Sequence, residues 1–288
     1  MEGEDDAYRA RSYSAEDGLK LFYRDYGEAT WEPTPLLCLA GLTRNSVDFH
    51  DLALHVSASG RRVIAPDYRG RGQSSFDPTW QNYRAEVHLG DVEALLIALN
   101  LHRVIVVGTS FGGLLSMVLA VKRPTVLAGV VLNDVGPEID PGGLARIAGY
   151  VGTPVSYVSY EEAARAQMHM FSPAYPDLDD SDWLKLTKRS YRQNGAGQLV
   201  PDYDLNLGKA LTAAGPTPDM WPFYRALQDT PCLAFRGELS DILSAETFDR
   251  MAADVPELRR VIVPGRGHVP LLDELSCIEA IDEFLKPL

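Results

Sequence analysis

One stretch constrains the fold of this chain more than any other: residues 101–120, LHRVIVVGTSFGGLLSMVLA. Residues 104–107 form a short, fully apolar run rich in β-branched side chains, which is typical of a strand buried on both faces of a parallel sheet. The glycine-rich sequence 108–113 follows at once, and residues 114–121 then show a helical pattern that Pro124 stops. The stretch therefore predicts a strand, a tight turn and a helix in direct succession.

The tight turn places a serine at its apex, Ser110, within a G-x-S-x-G pattern. Such a sharp bend predicts a strained backbone with positive φ at this serine. Gly108 and Gly112 lack a Cβ atom and would let the strand and the helix approach closely. The hydroxyl would then stand clear of the sheet at a helix N-terminus, where free N–H groups favour developing negative charge. The alternative is a glycine-rich turn that holds a serine by chance, and the flanking strand and helix argue against it.

Length, charge and cysteine usage limit the class of protein. The chain has 288 residues, 45% of them hydrophobic, which is enough for one large α/β core or for a core with an insertion. A net charge of −13 would repel polyanions, so nucleic acid is not an expected partner. The three cysteines show no disulfide framework, the acidic N-terminus is unlike a signal peptide, and no apolar run has the length of a membrane span. We therefore expect a cytoplasmic protein without a membrane span.

Strand and helix patterns alternate along most of the chain. A hairpin pattern around Asp17 and Gly18 predicts two antiparallel strands at a sheet edge. Buried strands are predicted at 36–40 and 104–107, and further strands at 62–65, 127–132, 232–235 and 260–263. Helical patterns are predicted between them at 47–59, 83–100, 114–121, 245–253 and 271–285. This order requires a mostly parallel sheet with right-handed crossovers.

Residues 136–229 interrupt the alternation. They lack buried-strand runs and carry helical patterns separated by prolines and glycines, at 139–150, 160–170, 180–192 and 205–213. The sequence therefore predicts a core domain formed by residues 1–135 and 230–288, with a helical cap formed by residues 136–229. Aromatic side chains of the cap that its own core does not use would line an apolar pocket.

A serine hydroxyl is a weak nucleophile that needs a base, and the base needs an orienting acid. His268 is the candidate base, because it follows the last predicted strand in a glycine-rich loop. The other histidines lie on or beside predicted helices or in the predicted cap. Asp241, after the strand that precedes the histidine strand, is the expected acid. Glu238 in the same loop and Asp134 after the strand that follows the serine are the alternatives.

An acyl-transfer intermediate also needs two preorganised donors for its oxyanion. The backbone N–H of Phe111, next to the serine, is the first candidate, and the N–H of Leu42, in the loop after strand 36–40, is the second. Gly41 would allow this loop to approach the substrate. The chain has no H-E-x-x-H motif, no His/Cys spacing typical of a metal site and no Walker-type loop, so we expect neither a metal nor a cofactor.

Three motifs, which follow one another along the chain as they do in the α/β-hydrolase superfamily, resemble the motifs of that superfamily. GTSFGG at 108–113 is similar to its serine turn, DYRGRGQS at 67–74 to its D-x-R-G-x-G-x-S loop, and GHVP at 267–270 to its G-H-x-P histidine turn. The similarity extends over residues 12–135 and 230–288. The resemblance implies an α/β fold with an eight-stranded, mostly parallel sheet, helices on both faces, a helical cap after the sixth strand, and hydrolysis without a cofactor. Many members carry His-Gly in the oxyanion loop, where this chain has Ala-Gly.

From these observations we expect a serine hydrolase that cleaves carboxylic esters of small to medium hydrophobic substrates through an acyl-enzyme. Ser110 would attack, His268 would transfer the proton, and Asp241 would orient the imidazole. A serine at this position disfavours epoxide hydrolase and dehalogenase chemistry. One alternative is C–C bond or lactone hydrolysis on the same triad, with Arg44 anchoring a substrate carboxylate; another is a ligand-binding member without turnover. The expected partner is a small ester-type molecule, and a homodimer is an assembly that the sequence permits.

Overall fold

The computed structural model describes residues 7–29, 32–215 and 218–288. Within these ranges, an eight-stranded sheet and a separate two-stranded sheet are present. The strands are β1 (Arg9–Ser14), β2 (Lys20–Tyr26), β3 (Leu36–Leu39), β4 (Val63–Pro66), β5 (Val104–Thr109), β6 (Leu127–Asn133), β7 (Tyr191–Gln193), β8 (Leu199–Pro201), β9 (Cys232–Gly237) and β10 (Arg259–Val263). The helices are α1 (His50–Ala58), α2 (Ala85–Ala98), α3 (Phe111–Lys122), α4 (Pro141–Tyr150), α5 (Tyr160–Phe171), α6 (Asp180–Ser190), α7 (Leu207–Ala213), α8 (Trp221–Arg225), α9 (Ala245–Asp254) and α10 (Leu275–Leu285).

The large sheet has the spatial order β1-β2-β4-β3-β5-β6-β9-β10. The pairs β1–β2 and β2–β4 are antiparallel, and all other neighbours are parallel. The predicted edge hairpin is confirmed, because β1 and β2 pair around a turn in which Gly18 has a φ of +83°. The predicted mostly parallel, eight-stranded sheet is confirmed as well.

The centre of the sheet is built from the apolar runs that the sequence marks as buried strands. Every residue of β3 and β5 is buried, and so is every residue of β6. Each fully buried Val, Leu or Ile side chain contributes about 1.5–3 kcal/mol to folding relative to leaving it exposed. The carboxyl ends of these adjacent parallel strands therefore form a fixed edge, on which loop residues are held in place.

The segment between β6 and β9 carries α4 to α8 and the small β7–β8 sheet. We call residues 136–229 the inserted segment. The helix predicted over 180–192 ends at Ser190, and β7 and β8 then form a hairpin that the sequence analysis did not predict. The division of the chain into a core domain and a cap domain stays a prediction. Of the helices in the described ranges, none has the length and apolar composition that a membrane span requires.

Candidate active site

Ser110 is the single residue between β5 and α3, and its backbone is strained. Its φ of +49° and ψ of −113° confirm the positive φ that the sequence predicts. A Cβ atom on Gly112 would lie 2.1 Å from the carbonyl oxygen of Leu39, and one on Gly108 would lie 2.7 Å from the Gly112 backbone. The close approach expected at both glycines is therefore present. It holds the serine hydroxyl at the carboxyl edge of the sheet.

A continuous chain of hydrogen bonds joins three side chains that are far apart in sequence. The Nε2 atom of His268 lies 2.8 Å from the Oγ of Ser110, and its Nδ1 atom lies 2.7 Å from Oδ2 of Asp134. The side chain of Asp134 is fully buried, and that of His268 is 9% exposed. Asp134 directly follows β6, and His268 lies in the loop after β10, so strand ends at one sheet edge supply all three groups.

The structure does not bring Asp241 to the histidine, which corrects the prediction of Asp241 as the orienting acid. Asp241 instead forms a two-pronged ion pair with Arg146, with Nη2 of the arginine 2.8 Å from Oδ1. Burial alone would raise the pKa of the Asp241 carboxyl, but the Arg146 guanidinium outweighs burial and lowers that pKa. The physical reason is distance along the loop, since Asp241 lies four residues beyond β9 whereas Asp134 immediately follows β6. Glu238, the other alternative, accepts from the N–H of Gly265.

The loop of Asp241 supplies a different residue to the site. The Oγ of Ser240 donates to Oδ2 of Asp134 at 2.6 Å, and the N–H of Gly237 donates to Oδ1 at 2.8 Å. An ionised carboxylate can only accept, so Nδ1 of His268 carries the hydrogen that faces Asp134. The Nε2 atom is then free to accept the proton of Ser110.

The two expected oxyanion donors flank the serine. Phe111 is the first residue of α3, where helix N–H groups have no intrahelical partner. Leu42 lines the same cavity as Ser110, and a Cβ on the neighbouring Gly41 would lie 3.9 Å from the Ser110 Cβ. The position of both residues agrees with donation to a substrate oxygen, and their role stays a prediction.

A cavity of about 390 Å³ opens onto the serine and the histidine. The inserted segment contributes much of its wall through bulky aromatic side chains, among them Tyr150, Tyr157, Phe171, Trp183 and Tyr203. Its charged lining residues are three arginines and one carboxylate: Arg44, Arg146, Arg189 and Asp48. Arg44 is tied to Asp48 through Nε and Nη2 and donates from Nη1 to Ser190. The cavity therefore combines apolar walls with guanidinium groups.

Sequence reasoning missed a tyrosine that holds the histidine turn. The hydroxyl of Tyr175 donates to the carbonyl of Val269 at 2.9 Å and accepts from its N–H at 2.7 Å. Tyr175 is buried in the inserted segment, and no motif or spacing marks it in the sequence. Within the part of the chain that the structure describes, no cluster of three or more His, Cys, Asp or Glu side chains could hold a metal ion. That the chemistry needs no cofactor stays a prediction.

Comparisons with known proteins extend over nearly the whole chain. A family model of the alpha/beta hydrolase fold matches residues 34–275. The 3-hydroxybutyrate-oligomer hydrolase of Cupriavidus necator is 30% identical over 276 residues, which cover 92% of each chain. The 2-(acetamidomethylene)succinate hydrolase of Mesorhizobium japonicum is 30% identical over 253 residues, or 87% of each chain. The crystal structure of an alpha/beta hydrolase from Novosphingobium aromaticivorans is 42% identical, with a TM-score of 0.93 over 98% of this chain and 99% of that one.

Proposed function

Because the chain belongs to the α/β-hydrolase family, we propose that it is a serine hydrolase that cleaves carboxylic esters through an acyl-enzyme intermediate. One observation carries this proposal: the hydrogen-bonded series Ser110, His268 and Asp134 at the floor of a cavity. A serine is activated when a base accepts its proton and a buried acid orients that base. The proposal replaces Asp241 with Asp134 and keeps the other residues of the predicted site.

The reaction follows from the positions of these groups. The Oγ of Ser110 attacks the ester carbonyl while Nε2 of His268 takes its proton, and Asp134 stabilises the imidazolium. The N–H groups of Phe111 and Leu42 hold the oxyanion of the tetrahedral intermediate. His268 returns the proton to the leaving alkoxide, which departs as the alcohol. Water then attacks the acyl-enzyme with His268 as the base, and the acid and the free serine are regenerated.

The cavity supports hydrophobic esters that also carry a free carboxylate. Its apolar and aromatic wall suits the small to medium hydrophobic substrates expected from the sequence. Arg44 uses three of its five N–H groups on Asp48 and Ser190, and the remaining ones are available to a ligand. Burial alone would lower the pKa of Arg44, but the Asp48 carboxylate outweighs burial and raises that pKa, so the guanidinium stays charged.

The names of the two relatives support the carboxylate part of this substrate class. One is named for the hydrolysis of 3-hydroxybutyrate oligomers and the other for the hydrolysis of a substituted succinate, and both names denote carboxylic acids. Oligomers of a hydroxy acid are esters by chemical definition. We therefore assign to Arg44 the binding of a substrate carboxylate, the role expected of it from the sequence in the alternative of C–C bond or lactone hydrolysis.

Two matched esters test the proposal. Mono-p-nitrophenyl adipate carries a free carboxylate, and p-nitrophenyl 6-methylheptanoate carries an isopropyl group in its place. Ser110→Ala should lower the turnover of both by at least about 10³-fold, because the nucleophile is lost, while Ser59→Ala on the exposed end of α1 is the control. Arg44→Met should lower kcat/KM about 10- to 100-fold more for the adipate ester than for the neutral one.

Three outcomes would contradict parts of this assignment. Equal rates in the wild type and Ser110→Ala would refute the serine hydrolase. An equal loss for both esters in Arg44→Met would refute the carboxylate contact. Faster turnover of a lactone or a vinylogous diketone than of either ester would favour the alternative chemistry on the same triad.

A further inference from the structure

The loop 67–74 contains two large buried side chains that the D-x-R-G-x-G-x-S pattern does not specify. The specified residues Asp67 and Arg69 fold the loop itself: Asp67 accepts from backbone N–H groups, and Arg69 forms buried ion pairs with carboxylates around it. Three positions are unspecified: Tyr68 and Arg71, which are buried, and Gln73, which is exposed. The polar atoms of Tyr68 and Arg71 reach out of the loop to the chain segment after β3.

Both side chains bond to the backbone of the expected oxyanion loop. The hydroxyl of Tyr68 donates to the carbonyl of Ala40 at 3.2 Å. The Nε atom of Arg71 donates to the carbonyl of Leu42 at 2.9 Å. These two carbonyls lie on either side of the peptide that joins Gly41 to Leu42. The side chains therefore hold the peptide unit whose N–H is the expected donor to the substrate.

The orientation of that peptide is fixed from a third direction. The carbonyl of Gly41 accepts from the N–H of Arg44 at 3.1 Å, which closes a tight turn. In a trans peptide the carbonyl and the following N–H point in opposite directions. The N–H of Leu42 is therefore directed away from the turn and cannot rotate without breaking the bonds that hold its neighbours.

The same cluster also packs against the residue that carries the other donor. The ring of Phe111 meets the rings of Tyr68 and His88 edge-on, at centroid distances of 5.7 and 5.4 Å. The Nε2 atom of His88 lies 2.6 Å from Nη1 of Arg71, and its Nδ1 atom lies 3.1 Å from the carbonyl of Arg84. Since both Arg71 and the carbonyl fix the ring, His88 is neutral, with Nδ1 as donor and Nε2 as acceptor.

Arg71 brings a positive charge into this cluster. Its side chain is fully buried, it forms no ion pair with a carboxylate in the described part of the chain, and its Nη2 atom has no hydrogen-bond partner there. Burial lowers the pKa of Arg71 to about 9, so the guanidinium remains charged at neutral pH. The rings of Tyr68 and Tyr83, with centroids 5.6 and 5.7 Å from the guanidinium carbon, and the nearby carboxylates of Asp204 and Asp91 compensate this charge in part. A buried cation without a directly paired carboxylate is stabilised further when an opposite charge appears beside it. An oxyanion at the Leu42 N–H would supply that charge.

The backbone of Arg71 is anchored independently of its side chain. Residues 70–72 bond to the inserted segment: the N–H of Gly72 donates to Asp202, and the N–H of Asp204 donates to Gly70. Arg71 and Tyr203 form an antiparallel bridge between these two bonds. The side chain therefore projects from a backbone that is fixed at both ends.

We propose that Arg71 is a positioning residue that fixes the oxyanion loop and stabilises the anionic intermediate through its buried charge. Tyr68 and His88 complete this positioning cluster on the Ala40 carbonyl and on Phe111. The inference rests on the proposed function, because it assigns the cluster to the oxyanion of that reaction. It adds residues that neither touch the substrate nor belong to the triad.

Hydrolysis of p-nitrophenyl butyrate, together with inhibition by butylboronic acid, tests the inference. Boronic acids form an anionic tetrahedral adduct on a serine, so their Ki reports on the oxyanion site. Arg71→Met should lower kcat about 10- to 100-fold with KM within about 3-fold, and should weaken the boronate in parallel. Tyr68→Phe, which removes one hydroxyl, should show a smaller loss of both. The control is Arg62→Met, which removes a buried arginine paired with Asp25 far from the oxyanion loop and should keep kcat and Ki.

Unchanged kcat and boronate Ki in a folded Arg71→Met variant would overturn the inference, as would equal losses in Arg62→Met. If circular dichroism shows that Arg71→Met does not fold, Tyr68→Phe decides instead, and wild-type kcat and Ki in that variant would overturn the inference. Failure of the proposed function would look different: Ser110→Ala would then hydrolyse the ester as fast as the wild type does.

Discussion

The sheet, rather than a loop, sets the position of the Asp134 carboxylate. The N–H of Asp134 donates to the carbonyl of Phe235 at 2.9 Å, so the β6–β9 ladder continues through this residue. Its φ of +53° then bends the chain away, and the side chain is left fully buried under His268. Asp241 lies in a loop with a side chain that is 43% exposed. A fixed and dry carboxylate is the better partner for an imidazole that becomes charged in the proposed reaction.

Matched amide substitutions distinguish the two carboxylates. Asp134→Asn should lower kcat for p-nitrophenyl butyrate by about 10³- to 10⁴-fold, because an amide at this position favours the wrong imidazole tautomer. Asp241→Asn should change kcat by less than about 3-fold on the same neutral ester, since it weakens only the partly exposed pair with Arg146. Steady-state kinetics on both variants provide the measurement. The opposite ranking of the two variants would restore Asp241 as the acid.

The neighbouring strand ends explain why the sequence indicates the serine and the histidine better than the acid. Ser110 and His268 lie in motifs whose glycines mark the turns around them. No comparable motif surrounds Asp134 or Asp241. The strands β6 and β9 are adjacent, so an acid after either strand starts from the same sheet edge. Which carboxylate reaches the imidazole depends on the path of the loop, and strand and helix periodicity do not encode that path.

At the level of elements, the approach of α3 to β3 is as important to the candidate site as the proposed triad. Gly112 lies in the first turn of α3, against the backbone of Leu39. Any side chain there must push the helix off the sheet or bend the strand. Because Ser110 immediately precedes this helix, such a shift would also move the proposed nucleophile away from His268.

Two glycine substitutions in different helices separate packing from helix propensity. Gly112→Ala should lower the free energy of unfolding by about 2–4 kcal/mol, because the new Cβ would lie 2.1 Å from the Leu39 carbonyl oxygen. Gly90→Ala in α2, where a Cβ meets no atom within 4 Å, should raise it by about 0.5–1 kcal/mol. Urea denaturation of both variants gives the two values. Destabilisation of similar size in both would show that the contact with Leu39 is not responsible.

Elements whose residues are uniformly apolar or clearly periodic could be predicted from the sequence. Five of the six predicted strands, and the long helices of the sheet region, match to within a few residues, because burial on both faces leaves a continuous apolar signature. The sixth, β10, also forms where predicted, but it lies at the sheet edge and only Val263 in it is buried. The β7–β8 hairpin could not be predicted from the sequence, since its strands are three residues long and partly exposed. The glycines at 195 and 197, which suggested only a break between helices, lie in its turn. Short surface pairings depend on tertiary context more than on local pattern.

At the scale of the whole molecule, two carboxylates lie where the inserted segment meets the sheet region: that of Asp67 is buried, and that of Asp202 is 18% exposed. Asn45 donates through Nδ2 to Oδ2 of Asp202 at 2.9 Å, and Asp67 is close enough to repel the same carboxylate. Burial is the main cause that raises the pKa of Asp67 and of Asp202, the latter to about 6. Two neighbouring acids with raised pKa values, in a chain with a net charge of −13, make this junction sensitive to pH.

Removing the Asp202 charge should therefore stabilise the protein in a pH-dependent manner. The folded-state pKa of about 6 lies above the ordinary value of 3.8, so between these values the folded state binds more protons than the unfolded state. The free energy of unfolding therefore falls as the pH rises from 3.8 to about 6, and the destabilisation by the ionised Asp202 carboxylate reaches its full size above this range. Asp202→Asn keeps an oxygen that can accept from Asn45 and avoids the penalty, so at pH 8 it should raise the free energy of unfolding by about 1–3 kcal/mol.

That advantage of Asp202→Asn should shrink as the pH falls below 6 and nearly vanish at pH 4, where the native carboxyl is protonated when folded. Urea denaturation of the wild type and the variant at pH 8, 6 and 4 measures the difference, in which the titration of groups that do not interact with Asp202 cancels. The exposed Asp229→Asn is the control and should shift stability by less than about 0.5 kcal/mol at each pH. A gain for Asp202→Asn that is equal at pH 8 and pH 4 would mean that its burial is not the cause. A loss at pH 8 would mean instead that the pair with Arg192, 3.4 Å away, outweighs burial.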